Sequence, residues 1–418
     1  MLLDKLLAAV FQFREFKSRH DDDSVDRLSR QYTPALLVLM TIVISVKTYI
    51  GAPIDCWCPA QFTESHTEYA NAICWVNNTY FVPFEEPMPL HGQKRRVIAY
   101  YQWVPFILLT QAIFFFSPCL LWRVFSRRAG LSVLGIVETA QAAHKAQYSE
   151  AREQGLRYVV MQLDSYLRRQ KKPDMDTCCS RAKQYLAKNC CLFWARFYGN
   201  HLWCAYLVVK LLYLSNALGQ LILLDIFLGM GREYLVFGLT VLRKVSEGQE
   251  WAVSERFPRV TLCDFEIRQQ TNVHRYTVQC VLPINLFNEK IFVFVWFWLL
   301  MVAGATTVSI FQWIIRSAVL STQTVYVQRQ LRAADQEKRD IRIIRRFTDG
   351  YLRRDGLLVV HLIAVNVGDL VAAEVLHGLW HNSGTDKRGL MTGYSDPALT
   401  NGGQQRLRAR KKVRSFSS

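Results

Sequence analysis

Five of the chain's eleven cysteines fall in two stretches: Cys56, Cys58 and Cys74 within 51–99, and Cys263 and Cys280 within 225–289. Thiols grouped in this way cross-link in an oxidising compartment or hold a metal. The Cys56/Cys58 spacing lacks the His or Cys partners of a zinc site, so disulfides are expected and a metal is not. Cys178-Cys179 and Cys190-Cys191 read as reduced structural thiols in preference to zinc or palmitoylation sites. Thr41, Ser45 and Thr48 stand at i, i+4 and i+7, which puts three hydroxyls on one helix face. That face suits a water-filled wall, and it equally suits hydroxyls bonded to their own i−4 carbonyls or to a neighbouring helix. Beside it, Lys47 either adds charge near a pore mouth, or snorkels to the interface or pairs with another subunit's carboxylate. Lys210 sits deeper, between Val209 and Leu211, and is expected to have a pairing role between helices or subunits in preference to direct ion contact. No Ser/His/Asp set, carboxylate pair or phosphate loop is present. Gly229-Met230-Gly231 has no strand before it, so neither an enzyme nor a cofactor is expected.

Those residues need elements to hold them, and the charge distribution says which. Val97 to Trp122 runs 26 residues without a charge and Ile291 to Ile315 runs 25. Each is long enough to cross a bilayer core of about 30 Å as a helix. Gln31–Ile54 and Phe197–Leu224 qualify once Lys47 and Lys210 are allowed, giving four spans. A soluble enzyme, a disordered protein and a small disulfide scaffold are thereby excluded. The segments 1–32, 123–200 and 316–418 hold 38 basic and 21 acidic residues, a net +17, whereas 51–99 and 225–289 together carry −3. The positive-inside rule therefore places both termini and the middle loop in the cytoplasm and the cysteine-bearing loops outside. The basicity is a topology signal, and no module for nucleic acid accompanies it.

The expected organisation is an amphipathic N-terminal helix and linker (1–32), retained and not a cleaved signal; a first span (33–50); an outside loop (51–99); a second span (100–122); a cytoplasmic helical loop (123–200); a third span (201–224); a second outside loop (225–289); a fourth span (290–315); a cytoplasmic helical region (316–382); and a disordered basic tail (383–418). The fold class is an all-α membrane protein, a four-transmembrane-helix subunit with small disulfide-linked α/β loops outside and a helical cytoplasmic dome. Pro105 and Pro118 both fall in the second span, where each removes a helix hydrogen bond and can kink it. Trp57, Phe62 and Tyr69 are expected to form the first loop's own small core in preference to docking anchors. The short runs Tyr234–Leu242 and Gly356–Gly368 read as buried or interfacial helices.

Several motifs resemble those of innexins, the invertebrate gap-junction proteins. They are Tyr100-Tyr101-Gln102-Trp103-Val104-Pro105 at the mouth of the second span, Asp21 to Leu28 before the first span, Pro53-Ile54-Asp55-Cys56-Trp57 and Pro59 to Thr63 after it, Leu282 to Lys290 entering the fourth, and Tyr351 to Gly356 beyond it. The similarity covers roughly residues 1–382. The resemblance implies subunits oligomerised around a central pore, an octameric hemichannel, and docking with a hemichannel of an adjacent cell, possible mixing with other innexin subunits included. Membrane lipids would surround it and ions and small metabolites would pass. A plasma-membrane, multi-pass, cell-junction location follows.

The resemblance also implies disulfides from Cys56 and Cys74 to Cys280 and Cys263, with the pairing left open. Cys58 departs from the two-per-loop pattern as an extra outside thiol that is free, swapped in for Cys56, or joined between chains. Thr41, Ser45, Lys47 and Thr48 would line the pore. Asp4, Ala8 and Gln12 would join them if the first helix folds into the pore; otherwise that helix lies on lipid. Asn77 in Asn77-Asn78-Thr79 is a possible glycosylation site, which would favour an undocked, pannexin-like hemichannel releasing solutes such as ATP. A four-span adhesion or scaffold protein is the remaining alternative.

Overall fold

The computed structural model describes residues 21–83, 97–170, 199–228, 257–318, 320–334 and 341–392, with isolated positions at 87, 243, 246 and 247. Asp4, Ala8 and Gln12, both intracellular cysteine doublets, Gly229 to Gly231 and the run Tyr234–Leu242 lie outside the described residues. Four helices are long and apolar enough to cross a membrane: Ser24–Tyr49, Val104–Arg128, His201–Phe227 and the one that begins at Pro283. The chain divides into two compact units, one of Ser24–Val124 with Tyr206–Trp313, the other of Met1–Asp23, Phe125–Ala205 and Ile314–Ser418.

In the span unit, the first helix starts at Ser24, so Ser24 to Leu28 of the Asp21–Leu28 motif form its opening turn, with Asp21 to Asp23 before it. Its ladder widens to a π turn over Leu28–Tyr32, and the Thr33 hydroxyl donates to the Leu28 carbonyl at 2.9 Å. Pro34 follows in the first turn of the regular segment, where a missing N–H costs little. The second helix begins at Val104, so Pro105 also occupies a first turn and is no kink. Pro118 lies in its interior and leaves the Phe114 carbonyl without its helix donor; the Ser117 hydroxyl donates to that carbonyl at 3.0 Å. The fourth helix runs Pro283–Ala318, about 54 Å at 1.5 Å per residue, longer than a bilayer core needs. Its first turns therefore extend past the span and carry the Leu282–Lys290 motif into the loops.

The loops build one antiparallel sheet from β1 (Asp55–Trp57), β2 (Thr79–Tyr80), β3 (Val97–Ile98), β4 (Val260–Gln269) and β5 (Asn272–Val281), in the order β1-β5-β4-β2-β3. The period of two turns Thr261, Cys263 and Phe265 of β4 and Val278 and Cys280 of β5 into the core. An outer helix, Glu64–Asn77, is started by a capping box between Thr63 and His66. On β1 only Cys56 points inward. Trp57 points out at 79% exposure and Tyr69 is exposed on the outer helix, so the expected loop core holds only for Phe62, whose ring meets Tyr276 edge-on at 5.0 Å.

The other unit is helical throughout its described residues. Val133–Lys145, capped by Ser132, pairs with Ser149–Arg169, and Gly155 lets the two approach: a Cβ there would sit 2.9 Å from that of Ala143. Leu320–Ala334, Ile341–Phe347, Arg353–Asn366 and Asp369–Thr392 complete it. The run from Gly356 is a helix whose Leu358, Val359, Val360, Leu362 and Ile363 are buried, as its apolar composition requires. The last helix reaches Thr392, so the boundary of the irregular tail moves beyond Ser383.

Candidate functional site: clamped loops and the first span

Two disulfides bind the loops into one body. Cys56 bonds Cys280 across the β1–β5 register, and Cys74 on the outer helix bonds Cys263 on β4. The sheet is thus stapled to the strand that leaves the first span and to the helix that covers it. Each closes a separation of 189 residues or more, a cross-link worth about 5 kcal/mol by chain entropy when it forms alone. The Cys56 N–H donates to Asn71 Oδ1 at 2.9 Å, which ties β1 to the outer helix a second time. Cys58 is free and half-buried; burial raises its thiol pKa, a hydrogen bond with Thr67 lowers it, and the Asp55 charge raises it.

The signature at the second span supports this body. Tyr101 is fully buried with its ring 4.8 Å from that of Trp75, and its hydroxyl and the Gln102 side-chain amide both donate to the Trp75 carbonyl. Tyr100 meets Phe257 edge-on at 5.6 Å, and Val104 is buried, while Trp103 stays exposed. The turn before Pro105 therefore fastens the last turn of the outer helix to the second span. Asn77 is exposed at that helix's end, with Thr79 buried at the start of β2.

The first span carries the expected hydroxyl stripe in half-buried positions. Thr41 donates to the Leu37 carbonyl at 2.8 Å and Thr48 to the Ile44 carbonyl at 2.9 Å, so both satisfy their own helix. Thr33, Leu37 and Ile44 face the core, and Leu39, Val43, Val46 and Ile50 form the barest stripe. At about 100° per residue the hydroxyls lie nearer the core-facing side than that apolar stripe. Lys47 is half-buried in the last turn, folded back over Gly51, where the ammonium complements the helix's carbonyl end. Only 22% of the residues in the first span's most apolar stretch are buried, against 44% in each other span, so this helix has the most surface still to be covered.

At the base of the spans, Lys210 finds the carboxylate its burial demands. Its ammonium lies 2.8 Å from Asp26 Oδ1 and 2.9 Å from Ser309 Oγ, and the Tyr206 hydroxyl donates to Asp26 Oδ2 at 2.5 Å. The Lys210 and Asp26 side chains are 0% and 2% exposed. A buried pair survives only when its remaining lone pairs and protons are also satisfied, and here they are. Rings of Trp122 and Trp313 close on Tyr206 at 5.1 and 5.0 Å. Asp26, Tyr206 and Ser309 went unrecognised in the sequence; Asp26 as the only acid between Ser24 and Ile54 was the available signal.

In the helical unit, Asp355 of the Tyr351–Gly356 motif is fully buried at the start of the third helix. Its carboxylate accepts from the Trp203 N–H at 3.0 Å, the Tyr166 hydroxyl at 3.0 Å and the Gln170 amide at 3.3 Å. Burial pushes its pKa up to about 6, although those donors favour the anion. Arg353 has φ 52° and lies against Gly199, whose own φ is 77°; a Cβ at 199 would collide with the Arg353 side chain.

The Innexin family model matches residues 22–383. The chain is 39% identical over 394 residues to Innexin unc-9 of Caenorhabditis elegans, covering 94% of this chain and 99% of that protein. It is 34% identical over 386 residues to Innexin-19 of Caenorhabditis briggsae, covering 87% and 86%, and 34% identical over 416 residues to Innexin-11 of C. elegans, covering 94% and 86%.

Proposed function

The chain belongs to the innexin family of gap-junction channel subunits, multi-pass membrane proteins and not enzymes, and from that premise we propose that copies of it ring a pore walled by the first span. The observation that carries this reading is the bareness of that span in the single chain. An apolar helix so little covered by its own fold needs neighbouring copies, lipid, or a pore on its remaining faces. The hydroxyls of Thr41 and Thr48 bond within the helix, and their oxygens keep acceptor capacity that water in a pore can use. Lys47 would add one positive charge per subunit near the outer mouth. The assembly is an octameric hemichannel of this chain or with other innexin subunits, with Asp4, Ala8 and Gln12 at its inner entrance. It sits in the plasma membrane at cell junctions with both termini inside, docks with its counterpart through the clamped loops, and passes ions and small metabolites without altering them.

Recordings of junctional conductance between paired cells, beside recordings from single cells, test the function. Coupling is expected in pairs and its absence there, with protein at the surface, refutes it. Cysteines placed at Thr41, Ser45 and Thr48 should react with small charged thiol reagents in open hemichannels and change conductance. Reaction at Leu39, Val43 and Val46 instead would assign the pore to the opposite face. A second reading, an undocked hemichannel releasing solutes such as ATP, is favoured by the exposure of Asn77, where a glycan would stand on the docking side. Conductance only in single cells, restored to pairs by Asn77→Gln, would establish it.

A further inference from the structure

Cys58 stands two residues from Cys56, outside in the proposed topology, and is not cross-linked. It directly follows β1 and precedes Pro59, which favours an extended backbone, so a continued alternation would turn it to the same face as Cys56. It packs against the buried cluster that contains Cys56, Cys74, Cys263 and Cys280. Within that cluster the sulfurs of Cys56, Cys74 and Cys280 lie within 4.8 Å of one another. The extra thiol is therefore partly covered by the same core that holds the half-cystines.

We propose that the loop has a second disulfide isomer, in which Cys58 replaces Cys56 as the partner of Cys280 and β1 moves two residues along β5. The Cys58 thiol gives up its proton and its sulfur attacks Cys280 Sγ. The Cys280–Cys56 bond breaks as Cys58–Cys280 forms, and Cys56 leaves as thiolate and takes up a proton. Nothing is oxidised or reduced overall. A shift of two residues, unlike one, leaves every β1 side chain on its original face, so Trp57 stays outward and the cystine stays buried. The backbone N–H of Cys58 then stands where that of Cys56 now meets Asn71. Burial raises the Cys58 thiol pKa, a hydrogen bond with Thr67 lowers it and the Asp55 charge raises it, and the net rise slows the exchange without a thiol catalyst.

The movement, about 7 Å, lengthens the link between the first span and the clamp and shortens the link to the outer helix. An exterior that holds a catalytic thiol would in this way act on the first span by letting the two isomers exchange. That consequence rests on reading the span as the pore wall; the isomer itself does not.

Alkylation of free thiols in the purified full chain, chymotryptic cleavage after Trp57 to separate Cys56 from Cys58, and mass mapping of whatever is joined to Cys280 will decide. Resting protein should give Cys56–Cys280 with Cys58 alkylated. After incubation with millimolar reduced glutathione, a fraction should give Cys58–Cys280 with Cys56 alkylated. Cys56→Ser should give Cys58–Cys280 alone. Only Cys56–Cys280 after glutathione, together with alkylated Cys58 and Cys280 in Cys56→Ser, overturns the proposal, as does Cys58 joined solely to a second chain. In hemichannel recordings, glutathione should change the conductance of wild type and not of Cys58→Ser. If the mapped isomer forms with no change in conductance, the exchange stands and its tie to the pore is overturned.

Discussion

At the scale of single residues, two buried carboxylates do different work. Asp26 is neutralised by Lys210 and by hydroxyls that complete the pair, so removing one partner strands the other in a dry interior. Lys210→Met should destabilise the protein by about 3–5 kcal/mol and reduce its surface level, as Asp26→Asn should to a smaller extent. The double variant should recover much of the loss, measured by thermal unfolding in detergent; equal damage in the double variant would show that the pair does not interact. Asp355 has no such cation as its main partner and is held by neutral donors. Its folded pKa of about 6 exceeds the ordinary carboxyl value of 3.8, so the contribution of this group to stability is present in full below about 4 and is lost as pH rises through about 6. Unfolding temperatures measured between pH 4.5 and 7 should carry a downward component with rising pH that Asp355→Asn removes.

At the scale of elements, the loops are held by covalent bonds because their strands are short: β1, β2 and β3 have three residues or fewer and cannot hold a register alone. Cys74→Ser and Cys263→Ser should each abolish junctional coupling even where protein reaches the surface, since the outer helix then leaves β4. Cys58→Ser should keep near-normal coupling, because Cys58 is no part of either resting bond. Coupling lost in Cys58→Ser to the same degree as in Cys74→Ser would mean that Cys58 forms the structural bond. In the second span, Ser117→Ala leaves the carbonyl freed by Pro118 without its present donor and should cost about 1 kcal/mol, and Pro118→Ala in the same background should restore it.

At the scale of the whole molecule, both termini and the middle loop should lie on the cytoplasmic side, as the basic excess of those segments requires. Tags at either terminus should stain only after permeabilisation, and staining of intact cells would refute the topology. The assembly should be read directly by mass measurement of detergent-extracted particles: eight copies are expected, and a monomer would refute the ring.

Apolar runs without charge alone located the four spans, because each depends on composition summed over some twenty residues and tolerates error at any one of them. The outer-loop half-cystines were legible for the same reason, as a residue type confined to two segments. What escaped the sequence were pairings between distant positions. Cys56 with Cys280 and not Cys263, Asp26 with Lys210 across 184 residues, and Asp355 with the start of the third helix are set by which strands and helices lie side by side. The burial of Tyr101 and exposure of Trp103 in one motif, and the exposure of Trp57, likewise depend on which face each element turns inward. Local sequence specifies that a face exists; only packing in three dimensions decides what meets it.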